Sequence, residues 1–287
     1  MTLVTAQMSV SLDGYYSGPK QGDADTSDLQ SWLDGPEAAG FFRVTRWAID
    51  AEAWRQRLGF SGGEQNVNSD LIAETYESAG AYVMGRRMAD GGEIPWGDNP
   101  PFRAPVFVVT HRPRTMLHRQ GGTSFTYVTD GIHSAIEQAR EAAKGKNVAV
   151  AGGGTLLCQV ITLGLLDELD LHIAPVILGD GMRLLDHRLE LDTLEGIELT
   201  PDRVTATDDV THIRYRVHER RALVLDNRGE TNRQGWRDSQ DFAPAQVGAR
   251  TARQLSGAQL GEFGGVVRAP QALPARDQRA IHRLPSS

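Results

Sequence analysis

Residues 148–178 read VAVAGGGTLLCQVITLGLLDELDLHIAPVIL, and the order of patterns inside them decides the fold. Val148 to Ala151 is a short strand-like run, and Gly152, Gly153 and Gly154 follow it. Thr155 to Gly164 then has the apolar density of a helix, and Glu168 onward returns to strand residues. Three glycines between a strand and a helix mark a close approach to the backbone. Two readings of that approach stay open from the residues alone. It is a tight turn, or it is a phosphate seat, because the first amides of a helix are unpaired donors at the positive end of a dipole.

Working outward, the same alternation fills the chain as far as about Glu219. LVTAQMSVSL at the start is a strand and DGYYSGP a turn. DLQSWL and DAEAWRQRL predict short helices. NSDLIAETYESAG predicts a helix with Asn68 or Ser69 as its cap, and the strand AYVM follows. GRRMADGG and a Pro- and Gly-rich loop, GGEIPWGDNPPF, lead to the strand PVFVVT. FTYVT is the next strand, Asp130 the expected cap of the helix GIHSAIEQAREAAKG, and THIRYRVHE a last strand with Ile213, Tyr215 and Val217 on one side. Continuous apolar strands such as VFVV and VAVA, separated by helices, predict an α/β sheet buried on both faces, with antiparallel additions near the end.

Bulk properties exclude several function classes. The 287 residues suffice for one large domain or two small ones, and the net charge of -7 argues against a nucleic-acid partner. No window approaches the roughly 18 to 20 apolar residues of a membrane helix. MTLVTAQMSV lacks the basic start of a secretory signal, and the single Cys158 excludes an internal disulfide, so a cytoplasmic location is expected. HExxH, paired CxxC and acidic Ca loops are absent, so no metal site is expected. From Arg220 to Ser287 the chain has no Lys and no regular apolar spacing. That composition predicts a disordered tail after a folded region of residues 1–219.

What remains is a set of strand ends rich in Gly and Arg. Gly85, Arg86 and Arg87 follow AYVM; Thr110, His111 and Arg112 follow PVFVV; Gly152, Gly153, Gly154, Thr155 and Leu156 follow VAVA. Ligands of open α/β sheets bind at the carboxyl ends of strands, so three such ends predict one anion-binding groove.

These residues carry a resemblance. SVSLDGYYSGP, AYVMGRRM, PVFVVTHRPR and above all VAVAGGGTLLCQVITLGLLDELDLHIAPVILGDGMRLL resemble the dihydrofolate reductase-like family. The similar branch is that of the reductase domain of the bifunctional riboflavin-biosynthesis deaminase-reductase, over roughly residues 1–219. The resemblance implies a three-layer α/β/α sandwich on a mostly parallel twisted sheet. It also implies NADPH as cofactor, a small, heterocyclic substrate of pteridine or pyrimidine type, and a homodimer. It places the 2′-phosphate of the cofactor at Gly85, Arg86, Arg87, Thr110, His111 and Arg112. The pyrophosphate falls at Gly152 to Leu156, across a cis Gly-Gly peptide. The segment from Gln7 to Ser17 borders nicotinamide and substrate, with Tyr16 on the cofactor and Asp13 as a catalytic candidate. Asp28 in DLQSWL stands where dihydrofolate reductases carry a proton-delivering carboxylate, with helix capping as its alternative role. The chain departs from the riboflavin enzyme in starting at the first reductase strand. It departs again in the segment Gly35 to Asn68, whose Trp47 and Trp54 line a pocket or cover the sheet edge.

Overall fold

In the computed structural model, residues 2–19, 33–185 and 197–218 are described. The expected boundary at Glu219, the tail after it, and Asp28 lie outside them. Parallel pairing builds the centre of the main sheet from β1 (Val4–Ser11), β3 (Ala79–Gly85), β4 (Pro105–Val109), β6 (Ser124–Val128), β7 (Asn147–Ala151) and β8 (Glu168–Ala174). Antiparallel strands close its margins: β10 (Leu199–Ala206) and β11 (Thr211–Val217) beyond β8, and β5 (Leu117–His118) beyond β6. Among the described residues the order is β10-β11-β8-β1-β7-β3-β4-β6-β5. A separate two-stranded ribbon joins β2 (Tyr15–Ser17) to β9 (Met182–Arg183).

Helices cover both faces. On one side α5 (Ile132–Ala142) and α6 (Gly154–Thr162) bury Ile136, Leu157 and Val160 against Val4, Val83, Val148 and Leu169. On the other lie α1 (Pro36–Ile49), α2 (Glu52–Arg57), α3 (Val67–Ser78) and α4 (Arg86–Trp96). There α4 packs Ala89 and Trp96 over Tyr82, Val106 and Phe125. The three-layer α/β/α sandwich on a mostly parallel sheet is therefore the observed fold. No helix of the described residues is long and apolar enough to cross a membrane.

Local chemistry shifts several expected boundaries. The loop expected from Gly91 is largely helix, because Gly92 leaves the space that the Trp96 ring fills one turn later, and that ring meets Phe102 edge-on at 4.9 Å. Asn66, not Asn68 or Ser69, caps α3: its side chain accepts from the Ser69 amide at 3.0 Å, and the two expected caps are buried inside the helix. Gly131 at φ 94° precedes α5 without a side-chain cap, while the Asp130 carboxylate takes the Thr129 hydroxyl. Strand β10 was not legible because most of its residues are exposed on both faces, so no alternation marks it.

Helix α1 is held against β2 by backbone contact. The Gly18 amide donates to the Glu37 carbonyl at 3.2 Å and the Ser17 hydroxyl to the same oxygen at 3.0 Å. A Cβ on Gly40 would overlap the Gly18 backbone. Alanine is intrinsically better than glycine in a helix by about 1 kcal/mol, yet the overlap costs about 1–3 kcal/mol. Gly40→Ala is therefore expected to lower stability in urea denaturation. A stabilised variant would contradict the docking of α1.

Candidate functional site

Parallel register aligns the turns that end β7, β3 and β4. Ala151 pairs with Met84 and Val109 with Gly85. Neighbouring strands are about 4.8 Å apart, so the turns span about 10 Å. Gly85 caps α4 and Gly153 caps α6, which brings two helix N-termini to adjacent strand ends. Neither helix has an acidic residue in its first turn to offset its dipole.

The glycines do different things. At Gly85 a Cβ would meet nothing within 4 Å, so the backbone faces open space. Gly152 has φ +132°, and its Cβ would stand 3.2 Å from Met88 Sδ and 3.7 Å from the Gly85 amide nitrogen. Gly153 and Gly154 make room for the chain itself. A Cβ on either would lie 3.3 or 3.1 Å from Tyr16, and at Gly154 also 2.9 Å from the Leu184 carbonyl. All described peptide bonds are trans, so the expected cis Gly-Gly bond is not observed. The positive φ of Gly152 turns the chain there instead.

The expected cofactor side chains divide. Thr110 is buried, and its Oγ1 accepts from the Arg112 amide at 3.0 Å, which fixes the THR turn. His111 and Arg112 are exposed beside it. Arg86 leans toward the same turn, with Nη1 donating to the Arg112 carbonyl at 3.3 Å while Nε donates to Asp90 at 2.7 Å. Arg87 points elsewhere, into an ion pair with Glu37 of α1. Tyr16 reaches the Gly triplet, and its hydroxyl donates to Met182 Sδ at 3.6 Å. Thr155 is exposed in the first turn of α6, whereas Leu156 is 6% exposed and belongs to the core.

Asp13 fastens a loop. Its carboxylate accepts from the amides of Leu178 at 3.1 Å and Gly179 at 2.7 Å. The Ser11 hydroxyl first, and then these amides, hold it down at about 2. The carboxylate is ionised near neutrality and ties β1's turn to the loop at residues 178–179.

A second polar cluster lies between the sheet and helices α1 and α3. Trp47 of α1 donates from Nε1 to Ser9 Oγ at 3.0 Å, and its ring centre lies 4.6 Å from that of His172, tilted, and 4.8 Å from that of His212, edge-on. His212 contacts His172 Nδ1 at 2.8 Å through its own Nδ1, and Asn68 Oδ1 at 3.0 Å through Nε2. Beside them Arg214 grips Asp170 through two bonds and reaches Glu74, which also holds Arg203. Hydrogen bonds from Arg203 and Arg214 keep Glu74 below the usual carboxylate range. Trp47 was named from sequence as a pocket or edge residue and Asn68 only as a helix cap; His172 and His212 were not named. Their signal was the second face of the strands, where LDLHI and THIRY carry polar residues at alternate positions.

Burial, then the His212 and Arg214 charges, pushes His172 down to about 3 from 6.5. The unfolded chain therefore binds more protons between these values, so stability is complete above about 6.5 and is lost as pH falls toward about 3. His172→Phe is expected to flatten that slope in denaturation measured between pH 7 and 4. An unchanged slope would mean that His172 charges freely in the folded protein.

Comparison with known proteins places these features. The model of the RibD C-terminal domain matches residues 2–213. A crystal structure of a protein provisionally assigned to riboflavin biosynthesis, from Shewanella sp. PV-4, is similar with a TM-score of 0.52 at 19% identity, covering 76% of this chain and 100% of that one. A diaminohydroxyphosphoribosylaminopyrimidine deaminase/5-amino-6-(5-phosphoribosylamino)uracil reductase from Thermotoga maritima has a TM-score of 0.44 at 13% identity, covering 76% and 57%. Among curated proteins, the uncharacterized protein YyaP of Bacillus subtilis is 27% identical over 108 residues, 36% of this chain and 57% of the relative's length.

Proposed function

The chain belongs to the RibD C-terminal domain family, and from that premise we propose that it is an NADPH-dependent reductase acting on a small nitrogen heterocycle of pyrimidine or pteridine type. The observation that carries the reading is the pair of helix N-termini, α4 and α6, opening side by side at the ends of β3 and β7 with Arg86 and Arg112 next to them. Helix-start amides and dipoles without an acidic residue in the first turn favour a phosphorylated ligand there.

The residues present fit such a cofactor. The open backbone at Gly85 and the turn at Gly152 give phosphate oxygens access to amides. The start of α6 at Gly154 would receive the pyrophosphate, while Thr110 holds the turn that would present Arg112 to the 2′-phosphate. Arg86 supports that turn through the Arg112 carbonyl and shares its charge with Asp90. Tyr16 walls the groove above the glycines, and Asp13 secures the loop at residues 178–179 so that β2 and β9 stay beneath it. When bound, the nicotinamide ring supplies the hydride. The protein's part is to hold it at the end of β1, where Ser9 and Ser11 replace the apolar residues of an ordinary buried strand.

A hydrogen bond to a charged group contributes roughly 1.5–3 kcal/mol, or about tenfold to a hundredfold in affinity. Arg112→Ala is expected to weaken NADPH by that factor in a binding titration and to leave NADH unchanged. Arg86→Ala, already neutralised by Asp90, is expected to lose less. Equal losses for both cofactors would remove Arg112 from the 2′-phosphate. NADPH oxidation in the presence of pyrimidine and pteridine acceptors then tests the reaction itself.

A further inference from the structure

A thioether sulfur is a weak hydrogen-bond acceptor, yet two donors converge on that of Met182 in β9. The Tyr16 hydroxyl lies 3.6 Å from Sδ, and Arg87 Nη1 lies 3.8 Å from it. The fold brings the three together through the β2–β9 ribbon, where Ser17 pairs with Met182, and through the first turn of α4. Arg87 is anchored from its other nitrogen, because Nη2 pairs with Glu37 of α1.

Met182 is half-buried, which leaves its sulfur within reach of a small oxidant. The other oxidisable side chains are placed differently. Met84 is fully enclosed and Cys158 is 1% exposed, whereas Met116, just before β5 at the sheet margin, is 47% exposed. Tyr16 connects the Met182 sulfur to the groove. A Cβ on Gly153 would stand 3.3 Å from Tyr16 Oη, so the hydroxyl lies at the start of α6, where phosphate oxygens would enter.

We propose that Met182 is an oxidation site, at which a hydroperoxide converts the thioether to the sulfoxide and so holds Tyr16 away from a phosphorylated ligand. The effect on the ligand rests on the reductase reading; the reaction at sulfur does not. With hydrogen peroxide, a sulfur lone pair attacks one oxygen, an S–O bond forms and the O–O bond breaks. Sulfur is oxidised by two electrons, the peroxide is reduced, and its second oxygen leaves as water carrying both protons. A thioether gives up the Tyr16 hydroxyl to an entering phosphate at little cost. The sulfoxide is polar, and its oxygen stands one bond length closer to the donor on its side than the sulfur does. With Arg87 held beside it by Glu37, a charged donor is at hand to stabilise that oxygen.

The test treats the full chain with hydrogen peroxide, maps oxygen uptake by peptide mass spectrometry, and titrates NADPH before and after. Met182 is expected to gain one oxygen and NADPH to bind about tenfold more weakly, the effect of one hydrogen bond to a charged group. Methionine sulfoxide reductases of both epimer specificities are expected to restore the affinity. Met182→Leu, close in volume, is expected to keep its affinity after a treatment that still oxidises Met116. Tyr16→Phe is expected to start about tenfold weaker and to lose nothing further on oxidation. A Met182 left unreacted after Met116 is converted, an oxidised Met182 with unchanged affinity, or a loss that persists in Met182→Leu overturns the proposal. Should a variant not fold, wild-type time courses decide: the loss of affinity is expected to follow oxygen uptake at Met182 and not at Met116. The ¹³Cζ resonance of Tyr16 reads the same event without cofactor, and it is expected to move on oxidation of the wild-type protein and to stay in Met182→Leu. Failure of NADPH to bind the untreated protein would count against the reductase reading, and the tyrosine resonance then decides the sulfur chemistry alone.

Discussion

The parallel register of β7, β3 and β4 is the constraint on which the proposed cofactor groove depends. Because Ala151, Met84, Gly85 and Val109 lie in paired rows, the three turns that follow must emerge side by side. A slip of one residue would turn every side chain to the opposite face and bury Arg86 or expose Val83. The register is held by Val83 and Val148 on the α5 and α6 side and by Met84, Val106 and Val108 on the α4 side. The groove thus borrows its geometry from the apolar core beneath it.

The two halves of the sheet differ in chemistry. Around β3, β4 and β6 both faces are apolar and the proposed groove lies at the strand ends. Around β1, β8 and β11 one face is polar beneath a helix layer, where His172 and His212 lie buried in the strand interiors. Helix α1 joins the halves. Its Glu37 holds Arg87 beside the cofactor groove, and its Trp47 covers that polar face.

How much of this was legible follows from the same division. The βαβ order, the strands VFVV and VAVA, and the turns at Gly85, Thr110 and Gly152 were readable because they rest on runs and glycines that local chemistry dictates. The reason for each glycine was not. Gly153 and Gly154 accommodate Tyr16 and the Leu184 carbonyl, partners more than 25 residues away in sequence. Arg87 and Asp13 were readable as site candidates from their positions, but not their partners, Glu37 and the amides of residues 178–179. The histidine cluster was hidden because Asn68, His172 and His212 come from three separate elements, joined by the β8–β11 register and by the packing of α3.

The placement of the dinucleotide at the ends of β7, β3 and β4 is tested most directly by the backbone amide spectrum during an NADPH titration. Shifts are expected at Gly85 and Arg86, at Thr110 to Arg112, and at Gly152 to Thr155, with the far edge of the sheet at β10 unmoved. Shifts centred elsewhere, or a spectrum that NADPH leaves unchanged, would contradict it.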